Sequence, residues 1–292
     1  MVFGPLSLIL LLAAWAIGLV FCFALLHWGA NSPLAAPAGL SGFFEDFYLS
    51  GTTFFTLGLG DVTPRGNFER VLTVLESGMG FAFLALVIGY LPMISQAFSR
   101  RETNISMLDA RAGSPSTAAQ LMSRHSHDID DLQELLRDWE RWSAELLESH
   151  VSFPVLSYFR SQHDNQSWVA ALTTILDSCC LVIARVENAP VRTARLTFAM
   201  ARHAVVDLCQ VFHRSPLPPA SDRLPPSEEE RLEKVLTSAG YRLKDREACA
   251  AKFHSMRAMY EPYVNALAVF LLMPLPDWVP PEGARDNWQA MA

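Results

Sequence analysis

From Val2 to Trp28 the chain carries no charged side chain, unless His27 takes a proton, and from Val71 to Phe98 a second apolar run is broken only by Glu76. An α-helix rises about 1.5 Å per residue, so ~20 such residues cross the core of a bilayer. Two transmembrane helices are therefore expected, over about residues 5–28 and 68–98. Nothing basic precedes the first run, which argues against a secretory signal. Between the runs, residues 42–55 suit a helix of three or four turns, too short to span and fitted to re-enter the membrane among other helices. After residue 99 the pattern changes. Residues 100–115 are polar, with Gly113 and Pro115, and read as a linker. From Ser116 onward helical spacing returns: Ile129, Leu132, Leu135, Leu136, Trp139, Trp142 and Leu146 recur three and four apart. Further helices are expected over 152–162, 167–187, 190–213, 227–238 and 244–272. A proline-rich loop (213–226) precedes a capping box of Ser227 and Glu230. Val169–Ala184 is apolar but short and holds Asp177, so it reads as a core helix and not as a third span. The fold class is all-α: two membrane helices flanking a re-entrant helix (domain 1–99), then an α-helical domain (116–292).

Charge sharpens this division. Of 30 acidic and 23 basic side chains, the first 99 residues hold Glu45, Asp46, Asp61, Glu69 and Glu76 against Arg65 and Arg70. The net charge of -7 excludes the basic footprint of a nucleic-acid binder. Arg100, Arg101 and Arg111 follow the second run, while the segment between the runs is acidic. The positive-inside rule then puts the helical domain in the cytoplasm and residues 29–69 outside, in a multi-pass protein of the plasma membrane. Five cysteines, two of them adjacent (Cys179 and Cys180), read as free thiols.

Thr56-Leu57-Gly58-Leu59-Gly60-Asp61 joins the short helix to the second span. Irregular backbone at membrane depth is tolerated where protein buries it or where it lines a water-filled cavity. Glycine at alternate positions lets the chain alternate the sign of φ at little steric cost. Successive carbonyls can then face one axis, and four copies would stack rings of oxygens able to replace the water around a cation.

Thr53-Phe54-Phe55-Thr56-Leu57-Gly58-Leu59-Gly60-Asp61 resembles the selectivity-filter signature of potassium channels, Thr-x-x-Thr-x-Gly-aromatic-Gly-Asp, and the flanking helices of the two-transmembrane type agree with it over about residues 5–99. The resemblance implies that Thr56 supplies a carbonyl and its hydroxyl at the cytoplasmic end of the filter, with potassium held at Thr56, Leu57, Gly58 and Leu59. Gly60 would permit the turn out, and Asp61 would sit behind the outer mouth, bonded to the pore helix. Thr52 and Thr53 would brace the filter through their hydroxyls, and Tyr48 falls where the family places an aromatic around it. Leu59 departs from the usual tyrosine or phenylalanine, as in the second pore of some two-pore-domain channels. Phe55 replaces a commoner threonine.

In the second span, Gly80 stands 19 residues after Asp61, similar to the gating-hinge glycine of two-helix channels. Close helix packing through Gly78, Gly80 and Gly89 explains it equally. Pro92 should kink the helix. Phe81, Leu84 and Ile88 share one face, suited to a cavity wall. Glu76 is an intramembrane carboxylate, expected to pair with Arg70 or a pore-helix group. One filter per chain requires four chains, most simply a homotetramer with three identical partners, in contact with membrane lipid. Potassium in the pore is the only cofactor implied, with no organic one and no enzymatic step. No GxGxxG after a strand, P-loop or CxxC pair is evident, so a ligand of the cytoplasmic domain is left unidentified. Arg124-His125-Ser126-His127-Asp128-Ile129-Asp130-Asp131 reads as a solvated helix start sooner than a metal site, and His203 with Asp207 as a contact one turn apart. A weakly selective cation channel and a membrane-anchored helical sensor are the competing functions.

Overall fold

Helix formation begins almost at once and dominates the chain in a computed structural model that describes residues 3–30, 34–36, 42–126, 128–161, 163, 165–281 and 283. The chain divides into two units, one ending at Gln96 and the other beginning at Ala97. In the first, α1 (Phe3–Ala30) and the start of α3 (Asn67–Ala112) are long and apolar enough to cross a bilayer. The 28 residues of α1 reach ~42 Å and are apolar all round. Helix α2 (Phe43–Phe54) has 12 residues, ~18 Å, and cannot span. It packs on α1 through a core of Ala16, Val20 and Phe54, supported by Leu19, Phe47 and Phe83. Phe43 meets both Phe21 (5.7 Å between centroids) and Trp28 (6.1 Å) edge-on. Two short strands, β1 (Leu34–Ala35) and β2 (Thr63–Pro64), pair antiparallel and tie the segment before α2 to the segment before α3.

The stretch 100–115 is not a loop-like linker, because α3 stays helical to Ala112. Among its charges, Ile105, Leu108 and Ala112 recur along one face and are fully buried in the core of the second unit. The helix stops where Gly113 adopts φ +83°.

Around that stripe the second unit gathers α4 (Ala118–Arg124), α5 (Ile129–Ser152), α6 (Trp168–Ala184), α7 (Val191–Val211), α8 (Pro226–Ser238), α9 (Arg246–Ala258) and α10 (Glu261–Leu271). Side-chain caps start four of them: Thr117 for α4, Asp128 for α5, Ser167 for α6 and Asp245 for α9. Every residue of α6 but Ala170 is buried, as a core helix requires, and its Asp177 is paired with Arg223 at 2.6 Å. The α5 stripe from Leu132 to Leu146 is buried, while Ile129 stays half exposed.

Three expectations fail for stereochemical reasons. Residues 152–162 form only a 3-10 turn, Pro154–Tyr158, because Pro154 cannot continue α5. The expected helix 244–272 is two, since Pro262, lacking an N–H, sits in the first turn of α10 and forces a restart. Helix α8 starts at Pro226 after Pro225, with no side-chain cap, so Ser227 lies inside the helix and makes no capping box.

Candidate ion-conduction site

The C-terminus of α2 is occupied by backbone donors from the segment that follows it. The Thr52 carbonyl accepts from the amides of Leu57 (2.8 Å) and Gly58 (3.3 Å), and the Thr53 carbonyl from Thr56 (3.0 Å). The helix's orphan carbonyls thus fix residues 56–58 without any turn of their own. Thr52 braces this segment with its carbonyl: its hydroxyl instead donates back to Tyr48 and Leu49 within α2. Along the segment φ is positive at Thr56 (58°), Gly58 (57°) and Gly60 (76°), but not at Leu57 or Leu59. A left-handed threonine costs roughly 1–2 kcal/mol, so Thr56 is held there by its surroundings. Among the described residues, no hydrogen bond is accepted by a carbonyl of residues 56–60. These oxygens are free to meet a ligand, while the Leu57 and Leu59 side chains are exposed on the single chain.

Asp61 closes the segment. Its Oδ2 accepts from the Tyr48 hydroxyl of α2 at 2.9 Å and its Oδ1 from the Val62 amide at 3.1 Å. Behind α2, Gly80 of α3 touches the last turn so closely that a Cβ there would lie 1.9 Å from the Phe54 carbonyl oxygen. Close packing therefore accounts for Gly80, and α3 is helical without interruption through Gly80 and through Pro92. Phe81, Leu84 and Ile88, all largely exposed, line one face of α3 beyond this contact.

A cluster that sequence spacing did not assemble lies on the other side of α2. Glu76 is fully buried and contacts the Ser50 hydroxyl through Oε1 and the His27 Nε2 through Oε2, the latter at 3.3 Å. The Ser50 hydroxyl also lies 2.7 Å from the Val20 carbonyl. Of the two partners expected for Glu76, the pore-helix group is the one present; Arg70 donates to the Pro64 carbonyl at 3.3 Å. The available signal was that His27 and Glu76 are lone ionisable groups in apolar runs, and in lipid each needs a partner.

In the second unit Arg101 is buried. It donates to the Leu156 and Phe159 carbonyls (2.8 and 2.6 Å) and to Glu102, and faces His150 at 3.3 Å. Burial, and next the Arg101 charge, push the His150 pKa down to about 3, so its imidazole is neutral at physiological pH. The His203–Asp207 pair is a surface contact of 3.3 Å. Asp128 is spent as the cap of α5 and His125 lies 3.6 Å from Asp131, while His127 falls outside the described residues. Among the described residues no three histidine, cysteine or carboxylate side chains gather as a metal site. All five cysteines are free.

Residues 8–95 match the family model described as an ion channel. An uncharacterized membrane protein of Bacillus subtilis (strain 168), YdjJ, is 23% identical over 236 residues, which cover 79% of this chain and 67% of the relative. That likeness is too long to be confined to the membrane unit and extends into the helical one. No solved structure is a significant match. The chain is an all-α membrane protein that over residues 8–95 is similar to that ion-channel family.

Proposed function

We propose that the chain is one subunit of a homotetrameric, potassium-selective channel. The observation that carries this reading is the segment Thr56–Gly60, where φ alternates in sign and, among the described residues, no carbonyl accepts a hydrogen bond while the amides of residues 56–58 are tied to α2. Such a backbone turns successive carbonyls toward one side. A single loop cannot surround an ion, so four copies about an axis are needed to stack rings of carbonyl oxygens that replace the hydration shell. Potassium ions shed their water, occupy positions at Thr56, Leu57, Gly58 and Leu59, and move in single file down their electrochemical gradient with no chemical step. Phe81, Leu84 and Ile88 line the cavity below. Asp61, held by Tyr48, and the acidic residues before it lower the cost of a cation at the outer mouth. Arg100, Arg101 and Arg111 put the helical unit in the cytoplasm of a plasma-membrane protein, where it modulates gating or assembly.

Flux through the purified full-length protein in liposomes tests the reading. Potassium should pass well ahead of sodium, and crosslinking should stop at four chains. Equal sodium and potassium flux would leave a weakly selective cation channel, a reading that Leu59, lacking a tyrosine hydroxyl, makes specific. No flux at all would leave a membrane-anchored helical sensor.

A further inference from the structure

His27 of α1, Ser50 of α2 and Glu76 of α3 form a buried row whose proton count is informative. The row runs from the Val20 carbonyl to the Ser50 hydroxyl, from there to Glu76 Oε1, and from Glu76 Oε2 to His27 Nε2. A carbonyl oxygen and an ionised carboxylate only accept, and a serine hydroxyl carries a single proton. With Glu76 ionised, the one Ser50 proton faces two acceptors, and one of the two oxygen–oxygen contacts holds no proton. The matching charge on His27 would also place an N–H on Nδ1, which is buried and has no partner among the described residues. With Glu76 as the neutral acid, every contact holds one proton. Glu76 Oε1–H donates to Ser50, Ser50 donates to the Val20 carbonyl, and neutral His27 donates from Nε2 to Oε2. Nδ1 is then a bare lone pair.

The surroundings agree. On α2, Asp46 lies one turn from Ser50 and interacts electrostatically with His27. On α3, buried Glu69 lies two turns before Glu76. Among the described residues no arginine or lysine comes within ion-pair distance of Glu76. Among the described residues, His27 is then the only cation-forming side chain within ion-pair distance of an ionised Glu76.

We propose that Glu76 is a positioning residue held as a neutral carboxylic acid, donating to Ser50 and accepting from His27. This link sets α2, and through the Thr52 carbonyl it sets the amides of Leu57 and Gly58. The effect on conduction rests on the channel reading; the protonation state does not.

The test compares full-length wild type, Glu76→Gln, Glu76→Ala and Ser50→Ala in lipid. A glutamine amide donates to Ser50 and accepts from His27, reproducing the neutral acid. Infrared spectra of wild type should contain a protonated-carboxyl band, moved by deuteration and missing in E76Q. E76Q should keep potassium-over-sodium flux near wild type, whereas E76A and S50A, each stranding a buried polar group, should lower the ratio about tenfold. Absence of the band, or an E76Q as defective as E76A, overturns the proposal. A wild type with the band but no ion flux overturns the channel reading and leaves the protonation state standing. If E76A fails to fold, the wild type and E76Q spectra and flux ratios still decide.

Discussion

Replacing Gly80 by alanine separates two roles that spacing alone left level. In the present geometry the new Cβ would stand 1.9 Å from the Phe54 carbonyl oxygen, 2.8 Å from its carbonyl carbon and 3.0 Å from its Cα. Carbon contacts are comfortable at about 3.5–4.0 Å, so α2 and α3 must separate by about 1.5 Å. Every obstructing atom is backbone, which cannot turn aside as a side chain would. Helix propensity favours the alanine by ~1 kcal/mol, but overpacking costs up to ~3 kcal/mol where the obstructing atoms cannot yield, so a net loss of up to about 2 kcal/mol is expected. The displaced turn is also the one whose carbonyls hold Thr56, Leu57 and Gly58. Near-ultraviolet circular dichroism on heating should therefore report a less stable membrane unit, and liposome flux a lower potassium-to-sodium ratio. Gly78→Ala and Gly89→Ala, whose Cβ atoms meet nothing within 4 Å, are the controls and should be neutral or slightly stabilising. A G80A protein of wild-type stability and selectivity, altered only in how often it opens, would refute the packing argument and restore the hinge.

Other consequences are independent of that contact. Because the His150 pKa is about 3 when folded against 6.5 ordinarily, the unfolded chain takes up the proton first. Stability should then fall as the pH drops below 6.5, by about 2 kcal/mol at pH 5, and His150→Gln should flatten this slope in urea unfolding followed by circular dichroism. Asp177→Ala removes the closest partner of Arg223 in the core of the helical unit, leaving it Glu261 at 3.6 Å and the Pro276 carbonyl, and should cost about 3 kcal/mol in the same assay, whereas an unchanged midpoint would mean that those two remaining partners suffice. Tyr48→Phe removes the hydroxyl that holds Asp61 and should shorten single-channel open periods without loss of expression.

The parts of the fold written in short-range pattern were legible. Apolar length marks α1 and the first part of α3, and alternating glycines mark Thr56–Gly60. What escaped depended on contacts between distant positions or on a single backbone atom. Residues 100–112 look solvated because Arg100, Arg101, Glu102, Asp109 and Arg111 outnumber the stripe Ile105-Leu108-Ala112 that buries them. Pro154 and Pro262 each carry a stop or restart inside what composition reads as one helix. The Ser50–Glu76–His27 row joins positions 23 to 49 apart on three helices, each locally regular, so no window along the chain contains it. His27 and Glu76 are nonetheless the lone ionisable groups of their apolar runs, and the cost of burying each alone was the clue.

Leu59 gives the cluster and the glycine contact their weight. In the proposed filter, a tyrosine at this position would anchor the outer turn to its surroundings by a hydroxyl; leucine cannot. The segment must then be held from its two ends and through α2. At one end, Asp61 is tied to Tyr48; at the other, the amides of residues 56–58 are tied to Thr52 and Thr53. All of these anchors reside on α2, so the carbonyl positions are only as fixed as α2 itself. Helix α3 fixes α2 at two places one turn apart, by hydrogen bond at Glu76 and by backbone contact at Gly80, and α1 fixes it at Val20. Rigidity that an aromatic residue would supply within the loop is here supplied by docking the helix beneath it. Restoring the aromatic should then relax the demand on the docking: Leu59→Tyr in the S50A background should recover part of the lost potassium-over-sodium ratio, and no recovery would mean that the two devices do not act on the same carbonyls.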